Sequence, residues 1–345
     1  MTTRVLHLTG SPTSEFHADL SRLYARDCLR NAADPARYEF LVADVSPGGR
    51  WRFPADLSPA ALDAAPPVGV AGAVDTIAGL GVDVALPQLF CVPGMTAYRG
   101  LLDVLGIPYV GNTGDVMALA AHKARARAVV AAAGVAVPRG EVLRRGERPT
   151  LTPPVVVKPV DADNSLGVSF VADAAGFDTA IEEALAHADA VLVEDYVELG
   201  REVRCGLVES GGELVGLPLE EYRMDDIAKP VRGPDDKLAR GDDGDLALQA
   251  KDGLRAWMVE ESDPATAVVH EAARAAYTAM GCRHYGLFDF RLDPEGRPWF
   301  LEASLYNSFA RQSVVTMMAG AAGITLPELF GRAVEQCLGV TPAPR

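Results

Sequence analysis

The chain has 345 residues, 49% hydrophobic and 23% charged, which is material for two or three compact units around an ordinary core. Its net charge of −15 argues against a nucleic-acid partner, which would need a basic face, and no run approaches the ~20 apolar residues of a membrane span. The chain opens on a strand-like Val5-Leu6-His7-Leu8 rather than a leader, and Cys28, Cys91, Cys205, Cys282 and Cys337 are scattered without Cys-x-x-Cys spacing, so a soluble cytoplasmic protein is expected, with no disulfide framework and no zinc site.

Alternating signals predict strands over residues 4–8, 39–43, 82–87 and 109–111, with helices over 14–31, 70–79 and 96–105. That is a small α/β unit with a mostly parallel sheet, and its Pro- and Gly-rich residues 46–65 read as a surface excursion. A second unit is expected from residue 115, where a helix opens near Lys123 and ends at Ala133-Gly134-Val135. There the β-branched strand Val155-Val156-Val157 delivers Lys158 at its end, before a small polar loop and a strand at 168–171. Residues 220–263 are unusually polar, a pattern that ordinarily marks a solvated loop, and a helix near 326–338 closes the chain.

Residues 286–304 carry the strongest chemical signal. Apolar residues flank Asp289 and Glu302, and Asp293-Pro294-Glu295-Gly296 supplies a tight turn, so the segment reads as a hairpin with both acids on neighbouring strands. A buried unpaired carboxylate is too costly to keep; the partners are a basic side chain or a hard divalent cation, unless both acids simply face water from an edge. Lys158 alone would be a solvated edge residue, but it precedes a loop whose backbone N–H groups can wrap a phosphate. Neither a P-loop nor a Gly-x-Gly-x-x-Gly fingerprint occurs, so a nucleotide would have to be held by another route.

These pieces fall in a familiar order. Glu15 follows an N-terminal strand and small-residue turn; Gly106-Ile107-Pro108-Tyr109-Val110-Gly111, Lys123 and the Lys158 strand come next. Then follow Val193-Glu194-Asp195-Tyr196-Val197, Gly200-Arg201-Glu202-Val203, Asp289, Glu302, and Ser313 before Ala322-Gly323-Ile324-Thr325. Over nearly its whole length the chain resembles an ATP-grasp carboxylate–amine ligase, nearest to the D-alanine–D-alanine ligase branch.

The resemblance implies an α/β chain, α+β in its ATP-binding part. An N-terminal Rossmann-like pre-ATP-grasp domain would span 1–114, an ATP-binding lid 115–196, and a domain with the metal site 197–345. It implies a homodimer that takes ATP and amino acids as partners and uses two Mg²⁺ ions, with Mn²⁺ a possible substitute. In that scheme ATP activates a carboxylate as an acyl phosphate, an amine attacks, and phosphate leaves. Lys123 and Lys158 would hold the phosphates under the loop bearing Ser165 and Gly167. Glu194 would accept from the adenine amino group, Tyr196 and Val197 would supply backbone contacts, and Glu202 would hold the ribose. Asp289, Glu302 and Ser304 would bind metal, with Glu302 bridging two ions that otherwise repel. Glu15, Asn164, Asn307 and Ser313 are implied for the amino-acid substrates and Ser308 for catalysis. The polar insertion occupies the place of a loop that closes over the site, with Lys229 as its phosphate contact.

Departures fall on the substrate side. Glu302-Ala303-Ser304 stands where the family has Glu-x-Asn, so one metal position falls back on the Ser304 hydroxyl or water. Leu287 stands where it keeps an arginine two residues before the metal aspartate. Pro87-Gln88-Leu89-Phe90-Cys91-Val92-Pro93-Gly94 replaces a His-Gly-x-x-Gly-Glu-Asp-Gly stretch. The loop Ser304-Leu305-Tyr306-Asn307-Ser308-Phe309-Ala310-Arg311 is also remodelled. Arg291 and Arg311 are candidates to replace the lost charge, each with a plain surface reading beside it. The expectation is therefore an ATP-dependent amino-acid ligase making a dipeptide of specialised metabolism, γ-glutamyl in type if both arginines face the pocket. D-alanine–D-alanine ligase itself and a catalytically silent nucleotide-binding regulator are the alternatives.

Overall fold

The computed structural model describes residues 2–162, 165–225, 230–232, 238–240, 246–248 and 255–339. Asn164 and Lys229 lie outside the described residues.

In the N-terminal unit, β1 (Thr3–Gly10), α1 (Glu15–Asn31), β2 (Tyr38–Ser46), β3 (Arg50–Arg52), α2 (Pro59–Ala64), α3 (Val70–Gly79) and β4 (Val84–Pro87) precede α4 (Val92–Met95) and α5 (Ala97–Val104). The sheet order is β3-β2-β1-β4, with β2 and β4 both parallel to the central β1. Val5 and Leu6 enter different core clusters, as expected of a sheet covered on both faces. Two expectations are corrected here. Residues 46–65 are more than a surface excursion: α2 buries no residue, but β3 adds an antiparallel edge that buries Trp51 against Tyr98, and Leu57 packs with Ala25 and Val42. Residues 109–111 form no strand but a single bridge from Ala85 to Tyr109, since the chain turns away there to dock: Asn112 Nδ2 donates to the carbonyls of Tyr285 and Leu305.

Next come α6 (Gly114–Ala121), α7 (Lys123–Ala132), β5 (Gly140–Arg144), β6 (Val155–Pro159), β7 (Ser169–Val171), α8 (Phe177–Leu185) and β8 (Ala190–Asp195). The four strands form an antiparallel sheet in the order β5-β8-β6-β7, with α8 packed on it over Val155, Val157, Val191 and Val193. α7, the helix that the sequence reading groups with this sheet, packs elsewhere together with α6, which was not expected. Met117, Ala126 and Val130 join Val203, Phe288 and Phe290 in the core of the following unit, because their apolar faces match that sheet's inner face.

The last unit contains β9 (Arg201–Ser210), β10 (Glu213–Gly216), β11 (Glu220–Tyr222), β12 (Leu238–Arg240), β13 (Leu246–Leu248), β14 (Ala256–Met258), α9 (Pro264–Met280), β15 (Tyr285–Leu292), β16 (Pro298–Ser304), α10 (Val314–Ala321) and α11 (Leu326–Cys337). Its sheet runs β14-β11-β9-β15-β16, and β10 returns on β9 through Gly211 and Gly212, whose φ values of 62° and 85° suit a two-residue hairpin. Among the described residues no single helix is long and apolar enough to cross a membrane.

Candidate functional site

Period-two alternation builds the centre of the site. Glu202, Arg204, Gly206 and Val208 of β9 share one face, and the antiparallel register sets Arg291, Asp289, Leu287 and Tyr285 of β15 opposite them. The opposite face, with Val203, Cys205, Phe288 and Phe290, is apolar and covered by α7 and α9. On the site face, Val208, Leu287 and Tyr285 lie with Met318 and Phe330 of α10 and α11, so that end is core. The other end is ionic: acid stands opposite base, Glu202 to Arg291 and Asp289 to Arg204, with Glu220 of β11 across from Arg204. Opposed charges in direct register fix a strand pair, and buried ones must be matched to persist. Glu302 of β16 is the register partner of Asp289, with a bulge immediately after, so the two acids expected on neighbouring strands do face each other.

Asp289 is fully buried. Its Oδ1 lies 3.0 Å from Arg204 Nε, and its Oδ2 accepts from Arg232, whose Nε also reaches Glu202 at 2.6 Å. Arg291 grips the other oxygen of Glu202 at 2.5 Å and donates to the Val197 and Pro230 carbonyls. Arg204 and Arg232 both sit over the Tyr222 ring, whose hydroxyl donates to Glu220 at 2.6 Å. Burial is the largest single influence and pulls the Arg204 and Arg232 guanidinium groups down, but the negative groups around them, Asp289 foremost, together hold both above their ordinary range.

The β5–β8 sheet supplies the facing wall. Lys158 and Glu194, diagonal neighbours on β6 and β8, form a buried ion pair at 2.5 Å. Lys123, the first residue of α7, donates its ammonium to the Ala162 carbonyl and lies 3.7 Å from Glu302. Gly167 has φ of 67° and would place a Cβ 2.9 Å from the His187 ring, so only glycine suits the turn. The Tyr196 backbone N–H is already donated to Pro154, and its ring meets Phe170 at 4.7 Å.

Lys123, Lys158, Ser165, Glu194, Val197, Glu202, Arg291 and Glu302 line one cleft with a free volume of about 80 Å³, and Val231 and Arg232 complete its wall. A second cavity, of about 510 Å³, opens beside Glu302 and Ser304 toward the N-terminal unit. The other predicted residues do not converge with them. Glu15 is exposed at the start of α1, while its neighbours Phe16 and His17 line the second cavity. Arg311 lines neither cavity; its side chain is 70% exposed and pairs with Asp27. Asn307 Oδ1 accepts from the Ser313 hydroxyl at 2.7 Å and from the Phe309 backbone N–H, while its buried Nδ2 has no partner among the described residues. The Ser308 carbonyl accepts from Gln88, and its buried hydroxyl has no partner among the described residues.

Arg204, Tyr222 and Arg232 were missed by sequence reasoning. Arg204 was findable, two residues after Glu202 in a strand. Arg232 was not, since nothing distinguishes it within a polar insertion.

A divalent cation fits this centre. Asp289 and Glu302 face one another, and both Asp289 oxygens meet guanidinium nitrogens, so the carboxylate is already arranged for positive charge. No cluster of three or more His, Cys, Asp or Glu able to cage a metal occurs among the described residues. The two facing carboxylates are the number with which Mg²⁺ is commonly held together with substrate phosphates.

A family model described as the D-ala D-ala ligase C-terminus matches residues 137–335. The chain is 31% identical to the vancomycin B-type resistance protein VanB of Enterococcus faecalis, over 72% of this chain and 71% of that one. It is 30% identical to the D-alanine–D-alanine ligase of Nocardia farcinica, over 97% of each chain. Among solved structures, the VanG D-Ala:D-Ser ligase from Enterococcus faecalis superposes with a TM-score of 0.77 at 22% identity, covering 99% of this chain and 100% of that one. The D-alanine–D-alanine ligase from Bacillus anthracis complexed with ATP gives 0.72 at 20% identity, with 99% of each chain covered.

Proposed function

The chain belongs to the D-alanine–D-alanine ligase family, has its ATP-grasp fold and is an ATP-dependent, ADP-forming ligase; from that premise we propose that it joins D-alanine to a second amino acid through an acyl phosphate. The observation that carries this reading is the single sheet face on which Asp289 and Glu302 meet, beside Lys123 and across a cleft from Lys158. D-Alanine as its own partner is the first reading to test, since relatives spanning 97% of the chain bear that ligase's name. A different second amino acid is favoured by one observation, the apolar Leu287, 5% exposed, where the family keeps an arginine. The γ-glutamyl form finds no support in the second cavity, whose lining includes neither Arg291 nor Arg311.

Phosphoryl transfer is positioning plus charge neutralisation, and each side chain has a place in it. Lys123 would meet the transferred phosphoryl group, Glu202 the ribose, and Glu194 the adenine amino group once Lys158 is shared between Glu194 and phosphate. Asp289 and Glu302, with the Ser304 hydroxyl, would hold Mg²⁺, which supplies charge neutralisation when bound. A cytoplasmic homodimer accompanies this reading, and light scattering tests the dimer.

The test is ADP release with ATP, Mg²⁺ and D-alanine, then with D-alanine and other amino acids, the dipeptide being read by mass. Turnover that disappears in Glu302→Gln supports the assignment. ATP binding without ADP release for any pair would favour the silent regulator.

A further inference from the structure

The second cavity is continuous with the reacting centre, since Lys123 and Glu302 line both it and the nucleotide cleft. Beyond them its walls are Phe16, Phe90, Val92, Met95, Met117 and Tyr306, with the Phe90 and Tyr306 rings 5.4 Å apart. Among the described residues its only Lys, Arg, Asp or Glu side chains are Lys123, Glu302 and Asp161 of the polar loop; the described residues of the N-terminal unit and residues 303–306 contribute none of these, and His17 and His187 complete the titratable lining. An apolar cavity of ~150 Å³ already accommodates a benzene ring. At about 510 Å³, this one leaves most of its space without a contact if only a methyl group enters. Phe16 and Val92 are 36% and 50% exposed at its wall, apolar surface that a ligand would cover.

We propose that this cavity is the side-chain subsite for a bulky apolar amino acid, of leucine or phenylalanine size, as the partner joined to D-alanine; the proposal rests on the ligase reading. Methionines at 95 and 117 give the wall the adaptability to take aliphatic or aromatic shapes. Charged side chains are disfavoured, because the far wall offers them no counter-charge.

The test is ADP release by the full chain with ATP, Mg²⁺ and D-alanine, adding in turn alanine, serine, leucine, phenylalanine, aspartate and lysine in both enantiomers. A hydrophobic pocket discriminates by about tenfold or more per methylene, so kcat/KM for leucine or phenylalanine should exceed that for alanine at least tenfold. In Ala121→Phe, which narrows the cavity from the end of α6, the ratio of apolar-partner to alanine kcat/KM should fall at least tenfold; as a ratio it is insensitive to the fraction of folded enzyme. Alanine, serine or a charged amino acid as the best partner, or an unchanged ratio in Ala121→Phe, overturns the subsite while leaving the ligase reading intact. No ADP release with any pair, despite ATP binding, fails the ligase reading itself and the subsite with it.

Discussion

Arg232 stands between Asp289 and Glu202, and replacing it by methionine tests whether it holds the place of a cation. The substitution keeps most of the buried stem while removing the charge between Asp289 and Glu202. Losing one partner of a buried ion pair costs ~3–5 kcal/mol. Here each carboxylate retains a second guanidinium, Arg204 on Asp289 and Arg291 on Glu202, so the lower end applies, about 3 kcal/mol. At ~2 °C per kcal/mol for a chain of this size, the melting temperature of the nucleotide-free variant should fall by roughly 6 °C. Bound Mg²⁺ and ATP would restore positive charge beside Asp289, and in the wild type they must first displace Arg232, which lowers apparent affinity by the fraction of open protein. Arg232→Met should therefore recover most of its lost stability with Mg²⁺ and ATP, and bind ATP more tightly than wild type. Differential scanning fluorimetry and calorimetric titration read both quantities. An unchanged melting temperature, or an equal shift on adding Mg²⁺ and ATP to either protein, refutes the idea that this guanidinium substitutes for a cation.

Arg204→Met should lower kcat by two to three orders of magnitude, ~3 kcal/mol of barrier, if its guanidinium serves the reacting centre, with the KM for ATP little changed; a near-normal kcat would confine it to packing. Lys158→Ala leaves the Glu194 carboxylate buried without its ammonium, so ATP binding should weaken at least tenfold and thermal stability should drop, and retention of both properties would remove the assignment. Arg311→Ala should leave turnover within about twofold, because the exposed Arg311–Asp27 pair is worth no more than ~1 kcal/mol, and a large loss would return Arg311 to the reaction. Burial lowers the His7 imidazole from 6.5 to about 4, against the opposing hydrogen bond that His7 donates to Gln88 Oε1, and His284 is likewise lowered to about 4 by burial and then by Arg283 and Arg99. Both are kept neutral when folded, so their stability is complete above pH 6.5 and lost as pH falls toward 4, by up to about 3 kcal/mol for His7; urea titrations should show a smaller loss across that window in His7→Gln.

The parts of this molecule legible in the sequence are those fixed by local periodicity. The hairpin around Asp293-Pro294-Glu295-Gly296 was readable because its turn and the flanking alternation agree, and the register pairs Asp289 with Glu302. Lys158 at the end of β6 and Lys123 at the start of α7 were readable for the same reason. What stayed hidden depends on contacts between distant segments. No local signal told that α6 and α7 would bury their apolar faces against β16 and α9 rather than with the sheet that follows them, or that Trp51 would make core out of a Pro- and Gly-rich stretch. Arg311 looked available because it follows the metal strand, yet Asp27 of α1, 284 residues away, draws it to the surface.

The same limit bears on the arginine that the family resemblance leads one to expect two residues before Asp289. A sequence comparison sees only its loss at Leu287. In the folded sheet, position 287 on β15 faces Gly206, and the carboxylate it would have flanked faces Arg204, one strand away and 3.0 Å from Asp289 Oδ1. A guanidinium therefore still stands beside Asp289, carried by β9 instead of β15. It approaches from the Glu220 side, and the space at 287 becomes apolar and joins the packing of Val315 and Met318. The charge beside Asp289 is thus supplied from across a strand, while position 287 itself is apolar.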